Sequence, residues 1–399
     1  MNRIRVFIPL ILALTILLIG CQGQPDQPPA PTSIPLPTPQ AGSSAEPSNP
    51  PPRVIPPENP ILLPEGFGIT VYAAGLTGPR MMDIGPDNMI YVSQPSTGQI
   101  LRLPDLDSDG IADGIEVVAE DLVEPSGLAF FNDGSLYVAE TTRVIRLLDP
   151  DGDGFFQDRE IIVAGIAAGG HSSRSIIFSP DWKNLYLSIG SSCNVCLEQD
   201  QRRASVMRFA ADGSSGKIFT KGLRHVVGMD FNPGNDILWV ANDERHGLGD
   251  NLPPETIYAI YIDADAGWPY CHAGRILDPD HGDRDSCDNL LTPIFELEAH
   301  TTPFGITFYM GEQFPDEYQQ DLFIALHGSS EGSQPEGYKL IRIPFGGGER
   351  GPVEDFAVGW LLEDGKSWGT PVDLIVGPDG SLFLSDDSQG VIYRIFYSG

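Results

Sequence analysis

One short pattern recurs six times along this chain, and it constrains the fold more than any other feature. Each copy has a short apolar strand, a turn rich in Pro, Asp, Asn or Gly, and a second apolar strand with an aromatic residue at a fixed place. Alternating apolar residues on either side of such a turn are typical of β-hairpins. The six copies read MDIGPDNMIYVS, GLAFFNDGSLYVA, IIFSPDWKNLYLS, GMDFNPGNDILWVA, GITFYMGEQFPDEYQQDLFIA and DLIVGPDGSLFLS.

A third apolar strand follows most copies, such as QILRLP or VIYRIFY, so each unit is a β-meander. Meanders repeated every 40–60 residues or so predict an all-β fold, a six-bladed β-propeller. We expect residues 67–76 to supply the outer strand of the last blade, because closing the ring leaves only short, protected strand edges. The widest gap, 84 residues between the aromatics Trp239 and Phe323, predicts a long insertion around 245–298.

The first sixty residues do not carry the repeat. Residues 1–20 join a basic start to an apolar run that ends just before Cys21, which is typical of a lipoprotein signal peptide. Residues 21–61 are rich in Pro and polar residues and predict a linker that cannot bury a core. We therefore expect a propeller over 62–399 that is exported to the cell envelope and held at the membrane only by lipid on Cys21. The alternative is an uncleaved N-terminal anchor.

Composition excludes two classes of protein. The chain has 24 Lys and Arg against 55 Asp and Glu, a net charge of -31. A general nucleic-acid binder needs basic surface to displace counterions from phosphate, so nucleic acid is excluded as a partner. The 45 Gly and 36 Pro argue against a helical bundle.

Four cysteines remain beside Cys21, an even number that suggests two disulfides in an oxidising compartment. Proximity favours Cys193 with Cys196 and Cys271 with Cys287. A redox-active Cys-Asn-Val-Cys pair and a four-Cys zinc site are the alternatives.

The starts of the innermost strands should converge at the mouth of the central channel. In a chain with few bases, three Arg and three His occur there. They are Arg80, Arg174, Arg224, His171, His225 and His300. A cationic mouth predicts an anionic ligand or cofactor held by guanidinium–carboxylate pairs. The alternative is that some of these Arg pair with carboxylates of the blade edges.

Two loops fit the spacing of a twelve-residue calcium loop. Ca²⁺ prefers six to eight oxygen ligands, and Gly at the sixth position permits the sharp turn. Both loops lie between strands, so we expect structural calcium sites rather than a sensor; solvated acidic turns are the alternative. The ligands would be Asp105, Asp107, Asp109, Ile111, Asp113 and Glu116 in the first loop, and Asp149, Asp151, Asp153, Phe155 and Glu160 in the second.

Six segments together resemble a known family. GGHSSRSIIFSPD, KGLRHVVGMDFNP, NDERHGLGDNLPPE, GWPYC, GYKLIRIPF and GSLFLSDDSQGVIYRI are similar, in order over 62–397, to soluble sugar dehydrogenases of the glucose/sorbosone type. These are six-bladed propellers that use pyrroloquinoline quinone (PQQ).

The resemblance implies a role for each matching residue. His171 would be the general base that takes the hydroxyl proton of the sugar while hydride passes to the quinone. Arg224 would stabilise developing negative charge. A Ca²⁺ on the cofactor would be held by main-chain carbonyls of the segment 243–245, with Glu244 and Arg245. Cofactor binding would fall to Arg80, Arg174, Arg224, His225, His300 and Thr370.

The chain departs from the family at two positions of the cofactor face. Relatives commonly read HGSWNRS where this chain has HGSSEGS at 327–333, and often have Arg in place of Thr370. Two functions are therefore considered. The first is a quinone-dependent dehydrogenase of a sugar or polyol, with an electron acceptor that the sequence does not identify. The second is a non-redox calcium propeller, either a binding module or a lactonase-type hydrolase. A lactonase needs carboxylates inside the channel, where the strand starts offer Glu124 alone, so the first is favoured.

Overall fold

The structure is a computed structural model that describes residues 54–149, 151–329, 331–345 and 350–399. The predicted signal peptide, Cys21, most of the linker and Ser330 lie outside the described residues. Within the described ranges the regular structure is β, apart from one 3₁₀ turn at Asp316–Tyr318. No helix in these ranges is long and apolar enough to cross a membrane.

Six antiparallel meanders form the predicted six-bladed propeller, so the fold prediction is confirmed. The chain begins with β1 (Phe67–Ala74), which belongs to the last blade. Blade 1 has β2 (Met82–Ile84), β3 (Ile90–Gln94), β4 (Gln99–Leu103) and β5 (Glu116–Ala119). Blade 2 has β6 (Leu128–Phe130), β7 (Leu136–Glu140), β8 (Arg143–Leu148) and β9 (Asp158–Val163). Blade 3 has β10 (Ile176–Phe178), β11 (Asn184–Ile189), β12 (Ser205–Ala210) and β13 (Lys217–Lys221).

The second half of the ring contains the insertion. Blade 4 has β14 (His225–Asn232), β15 (Ile237–Asp243), β16 (Glu255–Ala259) and, after the insertion strands β17 (Ala264–Asp265), β18 (Cys271–His272) and β19 (Ile276–Leu277), β20 (Phe295–Leu297). Blade 5 has β21 (Pro303–Phe308), β22 (Leu322–Leu326), β23 (Lys339–Ile343) and β24 (Glu354–Val358). Blade 6 has β25 (Pro371–Val376), β26 (Leu382–Asp386) and β27 (Val391–Tyr397).

The ring closes as expected, because β1 is the outer strand of blade 6. It pairs antiparallel with β27, from Phe67 opposite Tyr397 to Ala74 opposite Val391. The innermost strands β2, β6, β10, β14, β21 and β25 contact one another in succession around the channel, and β25 returns to β2. Each blade therefore has a neighbour on both sides.

In five of the six copies the aromatic residue has a fixed cross-strand partner that the repeat alone did not show. In five blades an Arg of the third strand lies directly opposite it, because both are set by the antiparallel register. The pairs are Tyr91–Arg102, Tyr137–Arg146, Tyr186–Arg208, Phe323–Arg342 and Phe383–Arg394. In four of these blades the Arg also binds a nearby Asp, as Arg102 binds Asp87 at 2.7 Å.

Both predicted disulfides, Cys193–Cys196 and Cys271–Cys287, are present. The second disulfide lies in the insertion between β16 and β20. The first strand of this insertion, β17, pairs in parallel with β13 of blade 3. The insertion is thus attached to two blades, next to the mouth segment that follows β15.

Candidate active site

His171 precedes the innermost strand of blade 3 and has one ring nitrogen fixed. Its Nδ1 lies 3.2 Å from the carbonyl oxygen of Ser191 and 2.9 Å from the Ser191 hydroxyl. A carbonyl oxygen can only accept, and the hydroxyl already donates to the carbonyl of Cys193 at 2.7 Å. Nδ1 therefore carries a proton, and the lone pair of the neutral ring is on Nε2. This leaves a proton acceptor at Nε2.

The surroundings of His171 keep the ring neutral. It stacks on His225 with ring centroids 4.7 Å apart and 28° between the planes. Burial, the adjacent His225 and the charge of Arg224 lower the pKa of His171 to about 3. The ring is therefore unprotonated at neutral pH, as a general base must be.

Arg224 lies just before β14 and is almost fully buried, with 2% of its side chain exposed. Its Nη1 donates to the Asp243 carboxylate at 2.8 Å and to the Asp243 carbonyl at 3.1 Å. Its Nε and Nη2 donate to the backbone and side-chain oxygens of Asn194, each at 3.2 Å. Four of the five N–H groups are thus used, and one on Nη2 has no partner among the described residues.

Two buried atoms beside this pair lack partners among the described residues. They are His225 Nε2 and Asp243 Oδ1. Burial alone would raise the pKa of Asp243, but Arg224 and His225 outweigh it and hold that pKa below its usual range. Because buried polar atoms are normally satisfied, the two atoms suggest that a polar group completes the site.

Arg80 does not present a free charge to the mouth. Its Nη1 binds Asp387 at 2.8 Å, and its guanidinium lies 5.0 Å from the centre of the Phe304 ring. Asp387 also accepts a hydrogen bond from Thr370 at 2.5 Å and lies 3.3 Å from His327 Nε2. Burial would raise the pKa of Asp387, but the contact with His327 and the charge of Arg80 hold it below its usual range.

Of the three Arg expected to make the mouth cationic, Arg80 and Arg224 each pair with a carboxylate, as the alternative stated. Asp387 was not expected at the mouth, although its position in the terminal motif SDDSQG was visible.

Arg174 is turned away from the mouth, which corrects its assignment to cofactor binding. It is fully buried, and it donates to the carbonyls of Ala167, His171 and Ser173 at 2.6–3.1 Å. Arg203 donates to the same Ala167 carbonyl and to three others, those of Ala168, Gly169 and Gly190. The two guanidinium groups hold the segment 167–173 that carries His171.

The predicted residue His300 does lie at the mouth, beside a histidine of the segment after β15. Its Nε2 contacts the carbonyl of Gly249 at 2.9 Å, and its Nδ1 lies 3.5 Å from Nδ1 of His246. The carbonyl can only accept, so His300 carries its proton on Nε2.

The side chains of Glu244 and Arg245 point into the interior. Glu244 accepts from Asn242 at 2.8 Å and lies 3.3 Å from His272. Arg245 pairs with Asp278, which also lies 3.1 Å from His272. The disulfide-linked insertion supplies His272 and Asp278 and so holds this segment in place. Ligation of Ca²⁺ by the main chain of Glu244 and Arg245 stays a prediction.

Three carboxylates inside the channel were not anticipated. They line a cavity of about 190 Å³ between the innermost strands. Asp83, Asp230 and Asp373 each accept an N–H of the next blade, from Phe130, Phe308 and Met82, at 2.7–2.8 Å. Burial raises the pKa of Asp83 and Asp230 to about 6 and that of Asp373 to about 7. The signal was an Asp in the first strand of the first, fourth and sixth copies.

The two predicted calcium loops lie at the end of the propeller opposite the mouth. In each loop three carboxylates have oxygen atoms within 4.8 Å of one another, Asp105, Asp107 and Asp113 in the first and Asp149, Asp151 and Asp153 in the second. The main chains of Ile111 and Phe155 donate N–H groups within their loops, to Asp109 and Asp153.

Glu116 and Glu160, expected as twelfth-position ligands, lie opposite Arg102 and Arg146 in the sheet and pair with them at 2.8 and 3.6 Å. The structure does not bring either Glu into its carboxylate cluster.

Together, the fold and the site define a class, the six-bladed propellers with the fold of PQQ-dependent sugar dehydrogenases. The PQQ domain of pyranose dehydrogenase from Coprinopsis cinerea, solved in its holo form, superposes with a TM-score of 0.74 at 20% identity. The match covers 87% of this chain and 99% of that domain. The chain itself belongs to the family described as Domain of unknown function (DUF7133), which matches residues 80–330. The family described as TrAA12-like matches residues 276–398.

Two curated relatives show how far the sequence likeness extends. An uncharacterized protein of Borreliella burgdorferi is 34% identical over 231 residues, which cover 57% of this chain and 61% of that protein. The PQQ-dependent pyranose dehydrogenase of Coprinopsis cinerea is 24% identical over 83% of this chain and 54% of its own length. The chain thus spans little more than half the length of these relatives.

Proposed function

We propose that the protein is a quinoprotein oxidoreductase that uses PQQ and Ca²⁺ to oxidise a hydroxyl or aldehyde hydrate of a sugar or polyol. The observation that carries the proposal is His171 at the channel mouth, a neutral imidazole whose Nε2 lone pair has no hydrogen-bond partner among the described residues. The PQQ-dependent pyranose dehydrogenase with the same fold supports the choice of cofactor.

The residues at the mouth fit this cofactor. His225 Nε2 and Asp243 Oδ1 are buried and lack partners among the described residues. Because His225 Nδ1 lies 3.5 Å from the Asp243 carboxylate, the neutral ring has its lone pair on Nε2, so both atoms can accept from a donor or meet a cation. Arg80 uses one N–H for Asp387 and keeps others for a carboxylate, beside Thr370. Arg80, Arg224, His225 and Thr370 would hold the group, and when bound it would accept the two electrons of the oxidised carbon.

Each side chain then has a defined task. His171 removes the proton of the substrate hydroxyl at Nε2, while Ser191 holds the proton on Nδ1 and so fixes the orientation of the ring. The remaining N–H of Arg224 stabilises negative charge on an oxygen that enters the mouth. Arg174 and Arg203 keep His171 in place through the backbone of 167–173.

A polar groove beside His171 favours a substrate with many hydroxyl groups. It has a volume of about 320 Å³. The lining residues are Arg80, Pro95, Ser96, Glu124, Ser126, Ser172 and Ser173. Serine hydroxyls beside a carboxylate and a guanidinium can bond to sugar hydroxyls in either sense, which supports a sugar or polyol.

Export, lipidation at Cys21 and the structural calcium loops remain part of the proposal on the strength of the sequence. A calcium-dependent, lactonase-type hydrolase is the second candidate. It is favoured by the three channel carboxylates, which supply the oxygen ligands that the strand starts lacked.

The proposal predicts a specific effect of H171A. Titration of the purified protein with PQQ in the presence of Ca²⁺, followed by calorimetry and absorbance, should show stoichiometric binding to both the parent and H171A. Turnover of sugars by the variant should fall by about 10²–10⁴-fold, because a positioned base contributes that much. The control is H281A, in the insertion, which should turn over like the parent.

Failure of micromolar PQQ to bind the parent would refute the dehydrogenase and leave the hydrolase or binding module. Parental turnover by H171A would remove His171 from the mechanism.

A further inference from the structure

We infer that the disulfide-closed turn Cys193–Cys196 is the element that sets His171 and Arg224 relative to each other, with Asn194 as its positioning residue. The inference rests on the proposed function for its kinetic consequence, but its structural content can be tested without activity. The turn follows β11, on the rim of the mouth.

The backbone just before the turn already joins the two residues. The N–H of His171 donates to the carbonyl of Ser191 at 2.9 Å, and the N–H of Ser191 donates to the carbonyl of Arg224 at 2.8 Å. The Ser191 hydroxyl links this backbone to the turn, because it donates a hydrogen bond to the Cys193 carbonyl. This bond leaves the hydroxyl oxygen to accept from His171 Nδ1, so the position of Cys193 adds to the preference for the Nδ1–H tautomer that the Ser191 carbonyl also favours.

Asn194 connects the turn to the other half of the site. Its two oxygen atoms accept from Arg224, at Nε and Nη2. Its side chain also bonds to the backbone of His246, accepting from N–H and donating to the carbonyl, each at 2.9 Å. Its carbonyl accepts in addition from the indole N–H of Trp268 in the insertion, at 3.2 Å. One residue thus contacts Arg224, the segment after β15 and the insertion.

The exposure of Asn194 distinguishes a role in positioning Arg224 from a role in packing the core. The residue is exposed at the rim, whereas Arg224, to which it bonds, is buried. Because the Asn194 side chain is exposed, replacing it leaves no cavity in the core and acts through the hydrogen bonds to Arg224 and His246 that it removes. The disulfide keeps a four-residue turn closed at the rim, where no strand pairing holds it.

The kinetic test compares N194A with N194D. N194A removes the acceptor for Nη2 of Arg224, and we expect kcat to fall by roughly 10–100-fold with little change in KM, as small misplacements in active sites do. N194D keeps both acceptors for Arg224 and should retain most of kcat. N235A, in the exposed turn between β14 and β15, is the control and should behave like the parent. Equal kcat for N194A and the parent would overturn the role of Asn194.

The second test needs no turnover. The ¹⁵N resonances of the His171 ring report its tautomer, which should be the Nδ1–H form in the parent. In the double variant C193A/C196A the Cys193 carbonyl is no longer fixed, so the Ser191 hydroxyl can turn and donate to Nδ1. The His171 resonances should then show a mixture of tautomers. An unchanged tautomer in the double variant would overturn the inference. An inactive parent that shows the expected tautomers would refute the proposed dehydrogenase activity and leave the inference standing.

Discussion

At the scale of residues, the chemistry of the mouth depends on which atoms of each side chain already make hydrogen bonds within the protein. Within the part of the chain that the structure describes, His171 is held at Nδ1 and has no partner at Nε2, and one N–H of Arg224 has no acceptor. His225 stacks on His171 and so affects its charge without a hydrogen bond between the two rings. The neighbour of His171 therefore controls the pH range in which it can act as a base.

This arrangement predicts the pH dependence of H225N. After burial, His225 is the largest cause of the lowered pKa of His171, which stands at about 3 in the parent. Removing the second imidazole should raise that pKa, so His171 becomes protonated, and inactive as a base, at a higher pH. The acid limb of the kcat/KM profile should move up by about one pH unit or less, within the spread of measured His pKa values. A limb at the parental pH would show that His225 does not influence His171.

The sequence indicated His171 and Arg224 but not their partners. Motifs such as GGHSSR and GLRH are local, whereas Asp387 reaches Arg80 only when the ring closes, and Asn194 reaches Arg224 across a loop. Such contacts depend on the three-dimensional path of the chain, and no periodicity reports them. Arg174 shows the opposite case, in which a residue at the expected position turns to backbone carbonyls.

At the scale of elements, cross-strand register explains both the repeat and the calcium loops. In four blades the Arg opposite the aromatic reaches a nearby Asp, so in these blades three side chains fix the spacing between strands. The same Arg residues in blades 1 and 2 engage Glu116 and Glu160. Any ion in these loops would therefore be held by the Asp residues, the main chain and water.

Chelation should reveal whether the loops bind calcium. If they do, a chelator should lower the melting temperature of the parent by roughly 2–8 °C, since an ion at 100 times its Kd stabilises by about 2.7 kcal/mol. The variant D105N/D149N should melt at that lower temperature with or without the chelator. D181N, in the exposed turn between β10 and β11, should respond like the parent. Identical melting of all forms would make the loops ordinary turns.

The elements that the sequence located best are those that repeat. Hairpins with an aromatic and an Asp–Gly turn were visible because both signals are local. The strands of the insertion, β17 to β19, have two residues each and belong to no repeat, so neither the pairing of β17 with blade 3 nor that of β18 with β19 could be inferred.

At the scale of the whole molecule, three carboxylates link neighbouring blades at the channel wall. Each accepts the N–H of the following blade; Asp373 is buried, and Asp83 and Asp230 are partly buried. The folded state holds the proton of Asp373 up to a pH of about 7, whereas the unfolded chain releases it near pH 4. The folded state binds more protons in that range, so this contribution to stability declines as the pH rises from 4 to 7.

D373N should therefore gain stability relative to the parent at alkaline pH. The free energy of unfolding should rise by up to about 4 kcal/mol at pH 8, since three pKa units correspond to that energy. The gain should disappear near pH 4, where the parent carboxyl is protonated. Chemical denaturation at both pH values measures the difference, with D236N in an exposed turn as the control. An equal effect at both pH values would show that Asp373 does not titrate as described.

The pairing of β1 with β27 has a consequence for the order of events during synthesis. β1 leaves the ribosome first, yet its partner is the last strand of this chain to be made. Blades 1 to 5 can form as translation proceeds, because each is built from consecutive strands and the local insertion. Blade 6 must wait, and until it forms β1 has an open edge. For a chain that also crosses a membrane, the ring would then close only after translocation is complete.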